Sequence, residues 1–149
     1  MQGKSKDLHY ARTSVYSLRY HLIIVTKYRR GVLVGPVKQE LEELLRSLAS
    51  QFGMKIEEME IMSDYVHLLV DAVPKYSISS IMKGLKGVTA RMLFMHHPEI
   101  KNKLWGGHLW QPSYFAVTVS ERSEEQIREY IRHQKPNQVK ESKDNDQIT

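Results

Sequence analysis

Glu60-Ile61-Met62-Ser63-Asp64-Tyr65-Val66-His67-Leu68-Leu69-Val70 reads as the end of one strand, a Ser63-Asp64 turn, and a second strand of β-branched and large apolar residues. Side chains along a strand alternate between faces, so Tyr65, His67 and Leu69 share one face while Val66, Leu68 and Val70 share the other. The second set suits a core. The first puts a phenol and an imidazole on the opposite face, which is either a half-polar sheet surface or a surface with chemistry on it.

The strand before the turn, near 55–62, alternates Glu58 and Glu60 against Met59 and Ile61, so the two strands form an antiparallel hairpin that Pro74 closes. Upstream, Tyr16-Ser17-Leu18-Arg19-Tyr20-His21-Leu22-Ile23-Ile24-Val25-Thr26 favours a central strand. Between them Gly35-Pro36 opens a helix whose Val37, Leu41, Leu44, Leu45, Leu48 and Phe52 keep helical spacing, and Gly53 ends it. A second helix, 77–96, carries the stripe Ile78, Ile81, Met82, Leu85, Val88, Met92 and Leu93 and stops before Pro98. After a loop over 99–112, a strand is predicted over 114–119. Ser123-Glu124-Glu125-Gln126 then reads as a capping box launching a last helix over 126–134.

The order predicts an α+β fold: a ferredoxin-like or RRM-like βαββαβ antiparallel sheet with two helices on one face. The 17–26 and 65–72 strands are its central neighbours, with His67 and His21 mid-sheet. The last helix is an addition to that core. Of 149 residues, 15–136 make one domain, 1–14 a flexible arm, and the charged, apolar-poor 137–149 a disordered tail. The absence of cysteine excludes disulfides and thiolate zinc sites. No apolar run has the length of a membrane span or forms a signal core, so a cytoplasmic protein is expected.

A net charge of +5 and a pI near 9.4 favour a polyanionic partner. The cations gather in two places. Lys27, Arg29 and Arg30 surround Tyr28, which suits phosphate contact with base stacking, or merely a solvated strand end. Lys83, Lys86 and Arg91 share a helix with Gly84 and Gly87, and each helical glycine costs about 1 kcal/mol relative to alanine. The glycines therefore admit something close, either a nucleic-acid backbone or another helix. Trp105 and Trp110 form a stacking platform or a cap on the core. Tyr130 and Gln134, at i and i+4, share a helix face. A tyrosine can act as a covalent nucleophile, and a glutamine amide oxygen can ligate a hard metal.

Four segments occur in register: Tyr20 to Arg30, Asp64 to Val70, Leu109 to Phe115 and Tyr130 to Gln134. Together they closely resemble the single-tyrosine HUH transposases (TnpA type) of small bacterial insertion sequences, over nearly the whole chain. The resemblance implies a DNA transposase with Tyr130 as nucleophile, acting through a 5′-phosphotyrosine intermediate. It also implies a divalent Mg²⁺ or Mn²⁺ ion, with His67 and Gln134 matching two of the three protein ligands. Partners implied are single-stranded DNA with hairpins at insertion-sequence ends and a second copy of the chain, the homodimer sharing active sites between subunits. The family's first metal histidine is replaced by Tyr65, and a phenol is a poor Mg²⁺ ligand unless deprotonated. Water, Asp64 or His133 could fill that position. The alternative is a catalytically impaired single-stranded DNA hairpin-binding protein using Lys27, Arg29, Arg30, Lys83, Lys86 and Arg91. An RRM-like RNA binder is disfavoured, because that module's aromatic strand signature is missing.

Overall fold

The computed structural model describes residues 9–11, 14–16, 18–73 and 75–134. A short hairpin, β1 (His9–Ala11) and β2 (Ser14–Tyr16), precedes the main sheet. The sheet comprises β3 (Arg19–Val25), β4 (Lys55–Ile61), β5 (Tyr65–Asp71) and β6 (Phe115–Thr118) in the order β4-β5-β3-β6, all antiparallel. The helices are α1 (Gly35–Gln51), α2 (Ile78–His96) and α3 (Ser123–His133). This is the predicted α+β layout, with β3 and β5 as central neighbours.

Leu22 and Ile24 of β3 and Val66, Leu68 and Val70 of β5 face α1 and α2, where Leu41, Leu45, Ile81, Met82 and Leu85 close the main core. On the opposite face, Ile23 and Val25 lie under Ile127 of α3, with Tyr65, Phe115, Tyr130 and Ile131 around them. The central strand is thus covered on both sides. That is why 22–25 is apolar at every position where a one-sided strand would alternate.

Two expectations need correction. His9–Ala11 of the supposed arm is paired with Ser14–Tyr16, so the polar N-terminal stretch supplies a strand of its own. Residues 1–8 and the tail 137–149 lie outside the described residues. The capping box does not form: Ser123 is buried and its hydroxyl accepts from the Ser120 N–H and donates to the Thr118 carbonyl. The helix therefore starts at Ser123, three residues early, with Arg122 as an N-cap that makes no side-chain capping hydrogen bond. Trp110 takes the core option, 5% exposed, with its Nε1 donating to Thr89 Oγ1 at 3.0 Å. The Trp105 side chain lies outside the described residues. No described helix is long and apolar enough to cross a membrane.

Candidate active site and nucleic-acid interface

His67 stands in the middle of β5 opposite Ile23, and His21 on β3 stands opposite Leu69, one step along the same face. Their rings lie nearly parallel, with an interplanar angle of 19° and centroids 5.1 Å apart, and His21 Nδ1 and His67 Nε2 are 2.9 Å apart. Burial lowers the pKa of both imidazoles, and for His21 the neighbouring His67 adds to it. Both rings are therefore neutral at pH 7, and one donates its proton to the other. The outer nitrogen of His67, Nδ1, lies 3.9 Å from Glu60 Oε1 on β4. Tyr65, next along β5 on this face, has its phenol pKa raised by burial and by the nearby Glu60 and Asp64 carboxylates. It stays protonated.

Tyr130 projects from α3 onto β6. Its ring stacks on Phe115 with centroids 5.1 Å apart, and its hydroxyl lies 2.9 Å from Ser113 Oγ. Burial pushes the phenol above its ordinary value, and the Ser113 hydrogen bond pulls it back. A groove of about 550 Å³ opens alongside, bounded by Phe115, Arg122, Gln126, Glu129, Tyr130 and His133. His67, Ile23 and Phe115 occupy one row across three strands. Neighbouring strands lie about 4.8 Å apart, so the backbones beneath His67 and the tyrosine platform are separated by roughly 10 Å. Gln134 sits just past the helix end as its C-cap, and its amide nitrogen donates to the Tyr130 carbonyl at 3.4 Å. No hydrogen bond joins Gln134 to His67 among the described residues. The two stand-ins for the missing ligand are both engaged: Asp64 pairs with Arg29 at 2.9 Å, and His133 donates from Nδ1 to the Glu129 carbonyl.

The basic residues divide by surroundings. A second groove, of about 510 Å³, is lined by Lys27, Lys86, Gly87, Arg91, His108 and Trp110 among others. Lys27 and Arg91 offer it charge. Lys86 is turned to the protein instead, donating to the carbonyls of Gln111, Pro112 and Ser113 at 2.6, 3.0 and 3.1 Å. Lys83 is exposed on the same helix, outside that lining. Lys27–Arg29 forms a short 3₁₀ turn in which Tyr28 and Arg29 take left-handed φ of 56° and 53°. Arg30 keeps a buried Nε without a partner.

The two helical glycines also differ. A Cβ on Gly84 would lie 2.6 Å from Phe52 Cζ, so this glycine admits α1, the helix-packing option. A Cβ on Gly87 meets nothing within 4 Å, and that glycine opens on the groove. Sequence reasoning had no means to find Ser113 as the partner of Tyr130, because a serine in a loop carries no periodicity. The hydrogen bond between His21 and His67 was likewise invisible, although the strand alternation had placed both mid-sheet.

Comparison with known proteins places the chain in a family. The family described as "Transposase IS200 like" matches residues 14–134. The chain is 48% identical over 128 residues to the ISDra2 transposase TnpA of Deinococcus radiodurans, covering 86% of this chain and 91% of that protein. It is 32% identical over 132 residues to the transposase for insertion sequence element IS200 of Salmonella typhimurium, covering 89% and 84%. A solved structure of a Deinococcus radiodurans protein assigned as a transposase superposes with a TM-score of 0.81 at 46% identity, over 86% of this chain and 98% of that one. A REP-associated tyrosine transposase solved with a REP hairpin shares the fold alone, with a TM-score of 0.52 at 14% identity, over 80% and 67%. The chain belongs to the IS200-like transposase family and is an enzyme of DNA transposition.

Proposed function

We propose that this transposase cleaves and rejoins single-stranded DNA at the ends of its insertion sequence by transesterification through Tyr130. The observation that carries the reading is the seating of Tyr130: ring on Phe115, hydroxyl on Ser113, beside an open groove and on the sheet face that bears His67. The Tyr130 oxygen attacks the scissile phosphorus, the P–O3′ bond breaks, and its electron pair leaves on O3′, which takes up a proton. The phenol proton departs to water. One phosphoester replaces another, so the energy for rejoining is kept in the phosphotyrosine.

A divalent ion, Mg²⁺ or Mn²⁺, fits part of the expected donor set. His67 is neutral, as a ligand must be, and its Nε2 is engaged by His21, which leaves Nδ1 for a cation and fixes the ring. Gln134 uses its amide nitrogen on Tyr130, leaving the hard amide oxygen. Tyr65, protonated, contributes no third donor, and water would complete the shell of a bound ion, as Mg²⁺ readily allows. When bound, the ion polarises the scissile phosphate. The homodimer that the family resemblance implies, with α3 of one subunit completing the partner's site, belongs to the same reading. Lys27, Arg30, Lys83 and Arg91, with Arg29 held by Asp64, present the phosphate-binding surface for hairpin DNA.

The test is incubation with single-stranded oligonucleotides from the flanks of its own gene, with Mg²⁺ or Mn²⁺, scored on a denaturing gel. A metal-dependent covalent band that disappears in Tyr130→Phe is expected. The second reading, a hairpin binder without catalysis, is favoured by Tyr65 alone. Tight binding with no band, for this chain and for Tyr65→His, would put it in front.

A further inference from the structure

We infer that Lys86 and Ser113 form one device that positions the Tyr130 hydroxyl, and that Lys86 is a positioning residue and not a phosphate contact. An ammonium has three N–H donors and no acceptor. Lys86 uses all three on three successive carbonyls, those of Gln111, Pro112 and Ser113. Nothing is left over for a phosphate. The same segment is tied down at its start: Lys27 N–H donates to the Leu109 carbonyl and Gln111 N–H to that of Val25, each at 2.8 Å. Trp110 is fixed to Thr89, one turn from Lys86 on α2.

Ser113, at the far end, is exposed and starts no regular element, so the lysine is what holds its backbone. From there Ser113 Oγ reaches Tyr130 at 2.9 Å, and Phe115, two residues on, supports the ring. The path thus runs from α2, on one side of the sheet, to the nucleophile on the other. It gives the serine a role in the reaction with Tyr130 as nucleophile: its hydroxyl donates to the phenol oxygen as the proton leaves for water, and it neither gains nor loses a proton itself. Three converging carbonyls suit a compact ammonium with rotatable donors, and the planar fork of an arginine cannot meet them together.

The experiment uses the full chain and a single-stranded oligonucleotide from its gene's flank. It measures affinity against salt, the adduct-forming rate at saturating DNA with Mn²⁺, and, without DNA, the ¹³Cζ signal of Tyr130 in tyrosine-labelled protein. Lys86→Met is expected to leave the salt slope unchanged, lower the saturated rate roughly tenfold or more, and shift the Tyr130 signal. Lys86→Arg is expected not to restore the rate. Ser113→Ala should act in the same way and Ser113→Thr should retain function. Because Ser113 is exposed, that pair keeps the test valid if Lys86→Met fails to fold.

A Lys86→Met protein whose log–log salt slope falls by about one, with its saturated rate intact, would make Lys86 a phosphate contact and overturn the inference. So would a Tyr130 signal unmoved by Ser113→Ala. If the parent protein forms no adduct, the nucleophile reading fails, while the DNA-free signal still decides whether the clamp exists.

Discussion

Gly84 and Gly87 lie one turn apart on α2, and substituting each by alanine separates helix propensity from packing. In a helix interior the exchange gains about 1 kcal/mol wherever the new methyl meets no obstacle. Gly87 is such a place, since its Cβ would find nothing within 4 Å. Gly87→Ala should therefore be more stable by about 1 kcal/mol, or roughly 3 °C in Tm for a domain of this size. At Gly84 the methyl would lie 2.6 Å from Phe52 Cζ and 3.0 Å from Cε2. Carbon atoms rest at about 3.5–4.0 Å, so the ring must retreat by roughly 1 Å from its edge-on contact with Tyr76.

Overpacking of that kind costs about 1–3 kcal/mol, which cancels or exceeds the propensity gain. The difference between the two variants, about 1–3 kcal/mol, isolates the helix–helix contact because propensity is common to both. Urea and thermal unfolding followed by circular dichroism measure it. Equal stabilisation by both alanines would refute the close approach of α1 and α2 at this point. The same two proteins test the groove. Gly87→Ala should weaken oligonucleotide binding while raising Tm, and Gly84→Ala should leave binding per folded molecule unchanged. Unimpaired binding by Gly87→Ala would remove the backbone-approach role from that glycine.

Other outcomes follow from particular contacts. Tyr130→Phe should abolish the covalent adduct, retain hairpin binding and cost about 1 kcal/mol of stability through the lost Ser113 bond, which gel and melting assays read together. Tyr65→His should raise Mn²⁺ affinity tenfold or more in calorimetric titration, since a neutral imidazole replaces a protonated phenol beside His67. Glu40 on α1 faces His96 and His97 at the end of α2; burial works to raise its carboxyl, and the hydrogen bonds from the two histidines outweigh it and lower the pKa. A lowered folded pKa means stability that is present above the ordinary carboxylate value and is lost as pH falls through the lowered one. The Tm of the parent chain should fall in that acid window more steeply than that of Glu40→Gln.

Much of the fold was legible because strands and helices here keep clean periods. Val66, Leu68 and Val70 alternate with Tyr65, His67 and Leu69, and that alone puts the apolar set toward α1 and α2 and the imidazole on the other side. The helix stripes behave in the same manner. Ser123 is where local reading failed. A capping box is a short-range signal, and it lost to burial, because the hydroxyl found better partners in Ser120 and Thr118 than in the turn ahead. The ambiguous signals, a tryptophan or a glycine with two uses, had to wait for their neighbours, and Trp110, Gly84 and Gly87 were each decided by which side chain lay opposite.

The sequence by itself determined the family, the sheet order around the Asp64 to Val70 strand, and the residue types able to do chemistry, because these depend on local pattern and on four motifs in register. Only the tertiary structure decided who touches whom. It joined His21 to His67 across two strands, spent Lys86 on three carbonyls, and set Ser113 against Tyr130, pairs separated by 46, 25 to 27 and 17 residues. Such contacts depend on how strands register and how a loop is tied. No periodicity in the chain records them, since a hydrogen bond between distant residues is set by the packing of everything between them.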